Sequence, residues 1–413
     1  MSLTTLLLGA VQDAFAASAV YLPFAFVFIS GFLFWELWVR YVQQLTISKT
    51  KFVLLEIKIP KESPKNPKGI EVVIGNAMFQ TSPSNWWDWY YLGKIRPWWT
   101  LEIASIEGEL HFYVYTPIGF RNLIESQLYA QYPAIEIHEA EDYTPLCPYT
   151  PDEKNWEMWA THYKTKAKAG DVLPIKTYIE WGLDKDPKEE FKIDPLSQIV
   201  EFMGTMGPGE NFWFQILLQA HDPKPPKPGD WPAPFSKRVE EFLREIRKIN
   251  LLEKKEKEGK TLGFLESTLS TQEKEIVEAT ERKASKRLFD VGIRSVYLAR
   301  KGKFTVPHIA SQIGLLRVFG SNAFNDFSIT NYTGFDIEAI EDPFGIRRKK
   351  RKQQFYEEYS KRGFFFEPYI RPSFVLSNEE LATLWHIPGA STETPTLSRI
   401  ESKKSEAPVN LPI

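Results

Sequence analysis

The sequence predicts an α+β protein: an N-terminal transmembrane helix, then two ferredoxin-like (βαββαβ) domains, the second with a long helical-hairpin insertion. Three observations predict it. Residues 14–35, AFAASAVYLPFAFVFISGFLFW, carry no charge. The order strand–helix–strand–strand–helix–strand, the split βαβ arrangement, can be read twice between residues 46 and 335. Two strongly charged helical stretches interrupt the second copy between its second and third strands. The expected divisions are 1–45 (N-terminal segment and transmembrane helix), 46–150 (first domain), 151–335 (second domain, insertion about 221–290) and 336–413. The last comprises a basic helix, a short docking helix and an extended proline-containing tail.

The uncharged run of about 22 positions spans roughly 30 Å as a helix, enough for the hydrocarbon core of a bilayer. Phe24, Phe28 and Phe32 lie along it; Trp35, Trp38 and Tyr41 gather at its C-terminal edge, where an aromatic belt meets the headgroups. Glu36 and Arg40 are four apart and can pair as the helix leaves the lipid. Asp13 precedes the span, whereas Arg40, Lys49, Lys51 and Lys58 follow it. The positive-inside rule then gives a single-pass protein of the inner (plasma) membrane, N-terminus outside and the bulk of the chain cytoplasmic. The competing reading is a cleaved signal peptide, with an A-x-A pattern at Ala14 and Ala16; a basic n-region is missing, and the best apolar run follows that site.

The first copy begins with FVLLEIKIP (52–60), a strand by its alternation, and GIEVVIGNAMFQ (69–80), helical in spacing. TLEIASIEGELHFYVYTP (100–117) reads as a hairpin turning at Glu107-Gly108-Glu109. GFRNLIESQLYAQYP (119–133) puts Phe120, Leu123, Ile124, Leu128 and Tyr132 on one helical face, and AIEIHEAED (134–142) alternates again. In the second copy PIKTYIEW (174–181) reads as the first strand, followed by a helix over 194–206 with Asp194 as N-cap and Pro195 at N1. Strands at 210–220 and 291–300, a helix over 306–320 and a strand over 324–332 complete it. The insertion opens with a proline-rich stretch that cannot be helical. Its charged remainder reads as two antiparallel helices, serving either a partner contact or a solvated face.

Composition narrows the function. A net charge of −2 gives no overall field toward nucleic acid or acidic lipid. The single cysteine, Cys147, allows no intramolecular disulfide and fits a reducing compartment. His111, His138, His162, His221, His308 and His386 never approach metal-ligand spacing, so no metal site is expected. No phosphate-binding G-x-x-x-x-G-K-[ST] loop, G-x-S-x-G elbow or H-E-x-x-H pair occurs. GTMGPGE (204–210) has no lysine after it and reads as a helix-to-strand turn. Neither enzymatic activity nor a cofactor is expected.

One block stands out as basic: GIRRKKRKQQFYEEYSKR (345–362), with Arg347, Arg348, Lys349, Lys350, Arg351 and Lys352 consecutive. Three readings stay open: a solvated charge run, contact with anionic lipid headgroups, or contact with DNA or RNA phosphates, with Phe355, Tyr356 and Tyr359 close by for stacking.

Three strings occur in order: LHFYVYTPIGFRNLIESQLYAQYPAIEIHEAEDY (110–143), FMGTMGPGENFWFQILLQ (202–219) and LSNEELATLWHIPGASTETPTLSRIESKKSEAPVNLP (376–412). Together they resemble the membrane-anchored region that precedes the ATPase in type IV secretion and conjugation ATPases of the coupling-protein type, in the long versions from small-genome bacteria. The E-L-A-T-L-x-H-x-P string is the most specific part. The phosphate-binding loop and motor of those proteins do not occur in this sequence. The resemblance therefore implies a P-loop ATPase on a separate chain, an oligomeric, ring-like assembly, and DNA among the possible partners. In that reading Leu381, Leu384, Trp385 and His386 form a docking helix for the motor, stopped by Pro388-Gly389. The chain would be a non-catalytic, membrane-anchored subunit of the transfer machine. Two alternatives belong to other classes. A membrane-tethered nucleic-acid-binding module would use sheet aromatics such as Phe112, Tyr113 and Tyr115. A structural envelope protein would have protein partners only.

Overall fold

The computed structural model describes residues 3–60, 66–81, 86–167, 170–185, 194–221, 235–258, 269–321, 323–334, 342, 344–389 and 399–400. In chain order its first elements are α1 (Leu3–Lys49), β1 (Phe52–Pro60), α2 (Lys68–Ala77), α3 (Trp86–Tyr90), β2 (Trp98–Ile106), β3 (Glu109–Pro117), α4 (Arg121–Gln131) and β4 (Glu136–Ala140). Then come β5 (Trp156–Thr165), α5 (Pro195–Gly204), β6 (Glu210–Ala220), α6 (Phe235–Glu258), α7 (Thr271–Ser285), β7 (Leu288–Arg300), α8 (Val306–Gly314) and β8 (Phe327–Thr330). The last are α9 (Ile346–Ser360), β9 (Phe374–Ser377), α10 (Asn378–Leu384) and β10 (Arg399–Ile400). Two compact units result: residues 1–50 with 82–95, and residues 51–81 with 96–413.

In the first unit, the stretch Tyr21–Lys49 of α1 is long and apolar enough to cross a membrane. Its 29 residues reach roughly 43 Å at 1.5 Å per residue. Phe24, Phe28 and Phe32 are 64%, 77% and 65% exposed, so no other described residue covers them fully.

The second unit is built on a ten-stranded sheet in the order β10-β1-β3-β2-β6-β7-β5-β8, with β4 also on β1 and β9 also on β7. All pairings are antiparallel except the short one between β1 and β10. β2 and β6 pair from Trp98↔Gln219 to Ile106↔Asn211, so the strands of the two halves read from the sequence share one sheet. The β2–β3 hairpin turns on Glu107 (φ 52) and Gly108 (φ 96), a positive-φ pair of the kind whose twist suits a two-residue hairpin loop. A Cβ on Gly108 would lie 2.5 Å from the carbonyl oxygen of Met206, so the close approach adds to the demand for glycine.

The strand expected over 174–181 is absent; that segment forms turns, and the first strand of the second half is β5, Trp156–Thr165. The backbone around Ile175 and Tyr178 is bonded by side chains instead: their N–H groups donate to Glu380 Oε1 (3.1 Å) and Thr383 Oγ1 (2.9 Å). The helix expected over 306–320 is α8 followed by a 3-10 turn at Arg317–Phe319.

Alternation along the strands gives the two faces different chemistry. One face is apolar: Trp99, Leu101 and Ile103 of β2, Phe112 and Val114 of β3, and Phe212, Phe214 and Ile216 of β6 join a core with residues of α2, α4, α5 and α10. The other carries Tyr113, Trp213, Val296 and Leu298 against Tyr143, Cys147, Tyr149, Phe355 and Tyr359. Phe355 and Tyr359 belong to α9, which thereby covers this second face. Capping follows the sequence. The Asp194 side chain accepts from Leu196 N at 2.9 Å, and Ser270/Glu273 and Ser377/Glu380 form capping boxes for α7 and α10.

Candidate functional site

Helix α10 and the two residues after it are those expected to dock a motor, and they pack inside the chain. Leu381 and Leu384 are 0% exposed, and Trp385 and His386 are 1%. Leucine and tryptophan at helical spacing find their apolar partners within the chain's own core. The Trp385 ring stands edge-on to Phe112 with centroids 6.1 Å apart, and its Nε1–H donates to the Glu102 carbonyl at 3.2 Å. The two ring nitrogens of His386 face Ala382 O (2.9 Å) and Asp194 Oδ2 (3.1 Å).

The two carboxylates that open α10 tie distant segments together. Glu380 accepts from Lys283 Nζ at 3.0 Å, an ion pair in which each side chain is 1% exposed, and from the Ser377 N–H at 2.7 Å. Glu379 accepts from Thr177 Oγ1 at 2.7 Å and Arg282 Nε at 3.2 Å. Burial pushes the Glu379 carboxyl above its ordinary range, against the opposing pull of Thr177 and Arg282. Tyr178 OH donates to Glu71 Oε2 of α2 at 2.5 Å, so turn 174–181, α7, α2 and α10 form one fastening.

A second buried polar network lies under α9. Glu102, 0% exposed, accepts from Thr100 Oγ1 (2.6 Å), Gln215 Nε2 (2.7 Å), Tyr143 OH (2.8 Å) and Arg362 Nε (3.0 Å). Arg362 Nη1 also donates to Asp142 Oδ2 at 2.7 Å. Burial opposes the Arg362 charge, but Glu102 and Asp142 outweigh it and hold the guanidinium well above its ordinary value. Arg294 donates to Gln215 Oε1 (2.7 Å) and to the carbonyls of Gly363 and Glu358, while Glu358 pairs with Arg371. Burial, then Arg294 and Arg371, keep His162 well below its usual value and neutral. These groups join the sheet to α9 and the chain after it.

The same layer corrects the stacking expectation. Phe112 is 1% exposed on the apolar face; Tyr113, 4% exposed, stacks on Tyr143; and Tyr115 stacks on Phe52 beneath the Arg362 guanidinium. Phe355 and Tyr359 are buried, and Tyr356 OH donates to Thr144 O at 3.0 Å. No open aromatic platform is formed by these side chains.

The basic block divides along α9. Arg351 Nη1 donates to the carbonyls of Tyr332 and Gly334, both at 3.2 Å, and Lys352 Nζ pairs with Glu153 at 2.6 Å. Arg347, Lys349 and Lys350 are exposed and Arg348 is half-buried. The backbone N–H groups of Arg347 and Arg348 donate to Asp342 at 3.1 and 2.7 Å, closing the helix N-terminus with an anion from the chain itself. At the root of α6 and α7, Phe79, His221, Phe235, Lys286 and Arg287 line a cleft of about 340 Å³. Its polar side chains are engaged: Lys286 with Glu71, Arg287 with Gly75 O, and His221 with Asp290. Among the described residues, no three His, Cys, Asp or Glu side chains are grouped to hold a metal ion.

The anchor residues gather a cluster that the sequence reading missed. Trp35 stacks on Trp86 and lies 5.3 Å from the Tyr90 ring, and Trp38 Nε1 donates to Tyr90 O at 3.2 Å. Arg40 is exposed. The string WWDWYY (86–91) is the signal that marks this element.

These features define an α+β protein with a helix near its N-terminus long and apolar enough to cross a membrane, and a large antiparallel sheet fastened by buried ion pairs. Residues 36–399 match the family model described as Domain of unknown function (DUF8128), and the chain belongs to that family. Comparison with curated proteins gives no match.

Proposed function

We propose that the chain is a non-catalytic, membrane-anchored subunit of a type IV secretion or conjugation-like transfer machine, and that it engages a separate P-loop ATPase at the cytoplasmic face of the membrane. The observation that carries this reading is the helix pair α6–α7. Phe235, Val239 and Leu243 of α6 pack with Val277 of α7 and with Val172 and Val375, which roots the pair firmly. The 24 residues of α6 reach roughly 36 Å, well beyond what that small cluster needs. Glu240, Glu241, Arg244 and Glu245 on α6 are exposed, Glu240 and Arg244 as an i,i+4 pair at 3.5 Å, and present charge to a partner surface. The buried ionisable groups serve packing, which supports a scaffold role over a catalytic one.

The reading also takes each half of the sheet as ferredoxin-like. β4-β1-β3-β2 and β8-β5-β7-β6 repeat one order, and each follows the sequence strand–helix–strand–strand–helix–strand. Partner docking passes from α10, which is buried, to α6–α7.

The test is affinity purification of the tagged full-length protein from gently solubilised native membranes, with mass spectrometry of what co-elutes. A parallel sample carries Glu240→Lys, Glu241→Lys and Glu245→Lys, which lie off the buried stripe of α6. Co-elution of a P-loop ATPase with the native chain, and its loss from the variant, is expected. A native sample with no such ATPase overturns the proposal.

A further inference from the structure

We propose that residues 86–92 form a second membrane-contacting element, seated in the lipid–water interface beside α1, so that the anchor is an aromatic-clad pair of segments instead of a lone helix. The proposal rests on the reading of α1 as a membrane span. The segment follows α1 from Trp35 to Thr46: Trp86 stacks on Trp35 at 6.2 Å, Trp38 bonds Tyr90 O, and Thr46 Oγ1 donates to Leu92 O at 2.9 Å. Gly93 closes the contact. Its φ is 60, and a Cβ there would lie 2.3 Å from the Val42 carbonyl oxygen, so only glycine brings this backbone against α1.

What the segment shows outward is what an interface takes. Trp86 and Trp87 are each 58% exposed, Leu92 49% and Tyr91 39%. The Trp87 and Tyr91 rings stack at 4.1 Å, which makes one broad aromatic face. Across 86–92 the lone charged side chain is Asp88, and it pairs with Lys94 at 3.1 Å. Indole and phenol rings with one apolar body and one polar edge concentrate at the headgroup level. The patch is continuous with α1 at Trp35 and Trp38, and Tyr41 is 61% exposed on the same stretch of helix. Glu36 and Arg40, the first charged side chains of α1 after Asp13, lie at this level too. A water-facing surface this apolar is costly to leave open, and the lipid beside α1 is the occupant its position supplies.

The test uses the full-length chain in phosphatidylcholine vesicles, with an environment-sensitive fluorophore on Trp87→Cys or, separately, on Phe32→Cys. The native Cys147 is buried and its thiol is pushed up to about 12, so it stays unlabelled in the folded protein. Vesicles carry nitroxide-labelled lipid either at the headgroup or near the chain end. The Trp87→Cys probe is expected to be quenched several-fold more by the headgroup nitroxide, and the Phe32→Cys probe by the chain-end nitroxide. A Trp87→Cys probe insensitive to both, with the Phe32→Cys probe quenched, overturns the inference and leaves the span intact. Self-quenching at position 87 that grows with protein-to-lipid ratio, without nitroxide quenching, shows a second copy covering the face and overturns it as well. If neither probe responds, the span reading itself has failed.

Discussion

Glu102 and Arg362 stand 260 positions apart in sequence and meet inside the second unit at 3.0 Å, both almost wholly buried. Removing one partner of such a pair leaves an uncompensated buried charge, a loss of about 3–5 kcal/mol. Glu102→Leu should therefore lower unfolding free energy by about that much in urea titrations, and Glu102→Leu with Arg362→Met should recover part of it. An equal loss in the single and double variants would contradict the pairing. Glu56 gives a pH dependence. Burial raises its carboxyl, but hydrogen bonds from His111 (2.7 Å) and Lys58 (2.6 Å) outweigh it and lower the pKa from 4.5 to about 2. A group whose folded pKa is depressed stabilises the fold above its unfolded value and loses that contribution as pH falls through the folded one. Stability should thus decline between about pH 4.5 and about pH 2, and Glu56→Gln should flatten that part of the profile. None of these partnerships was legible in the sequence. Glu102 and Glu56 alternate with apolar neighbours as solvent-facing strand residues would, and apart from Thr100 and Lys58 their partners, such as Arg362 for Glu102 and His111 for Glu56, come from distant parts of the chain.

At the scale of elements, local pattern sufficed where local physics decides. β1 and β6 fall at the bounds their alternation implies, and α5 begins at the expected Asp194–Pro195 cap. It failed where a distant segment decides. Residues 174–181 have strand-like alternation, yet α10 supplies side-chain acceptors for their backbone N–H groups and no strand is needed. The Pro388-Gly389 stop after α10 was readable, whereas the burial of α10 was not, because Glu379 and Glu380 mark an exposed helix until Arg282 and Lys283 are found opposite them. Trp385→Ala should cost about 3–5 kcal/mol as a large-to-small core change, read as a lowered urea midpoint. A native midpoint in that variant would return the residue to the surface. Within α9, Lys349→Ala with Lys350→Ala should leave stability within about 0.5 kcal/mol. Lys352→Ala, which removes the pair with half-buried Glu153, should lower the melting temperature measurably more.

At the scale of the whole molecule, the chain contains an apolar helix, a single broad sheet and a rooted helix pair. The apolar run over 14–35 announced the helix, though not that it continues to Lys49 or gathers Trp86 and Tyr90. The strand–helix order of the first half was visible in the sequence; the first strand of the second half, β5 in place of 174–181, was not, nor was the pairing of β2 with β6, since both are apolar strands with two edges to fill. We propose that α1 anchors the chain with the residues after it on the cytoplasmic side of the membrane. Lys154, with its side chain 77% exposed, supplies the reporter. A Lys154→Cys variant of the full chain would be treated with a membrane-impermeant maleimide, in intact bacterial spheroplasts and in inverted inner-membrane vesicles. Labelling confined to the inverted vesicles is expected; labelling of intact spheroplasts would place the sheet outside and contradict that topology.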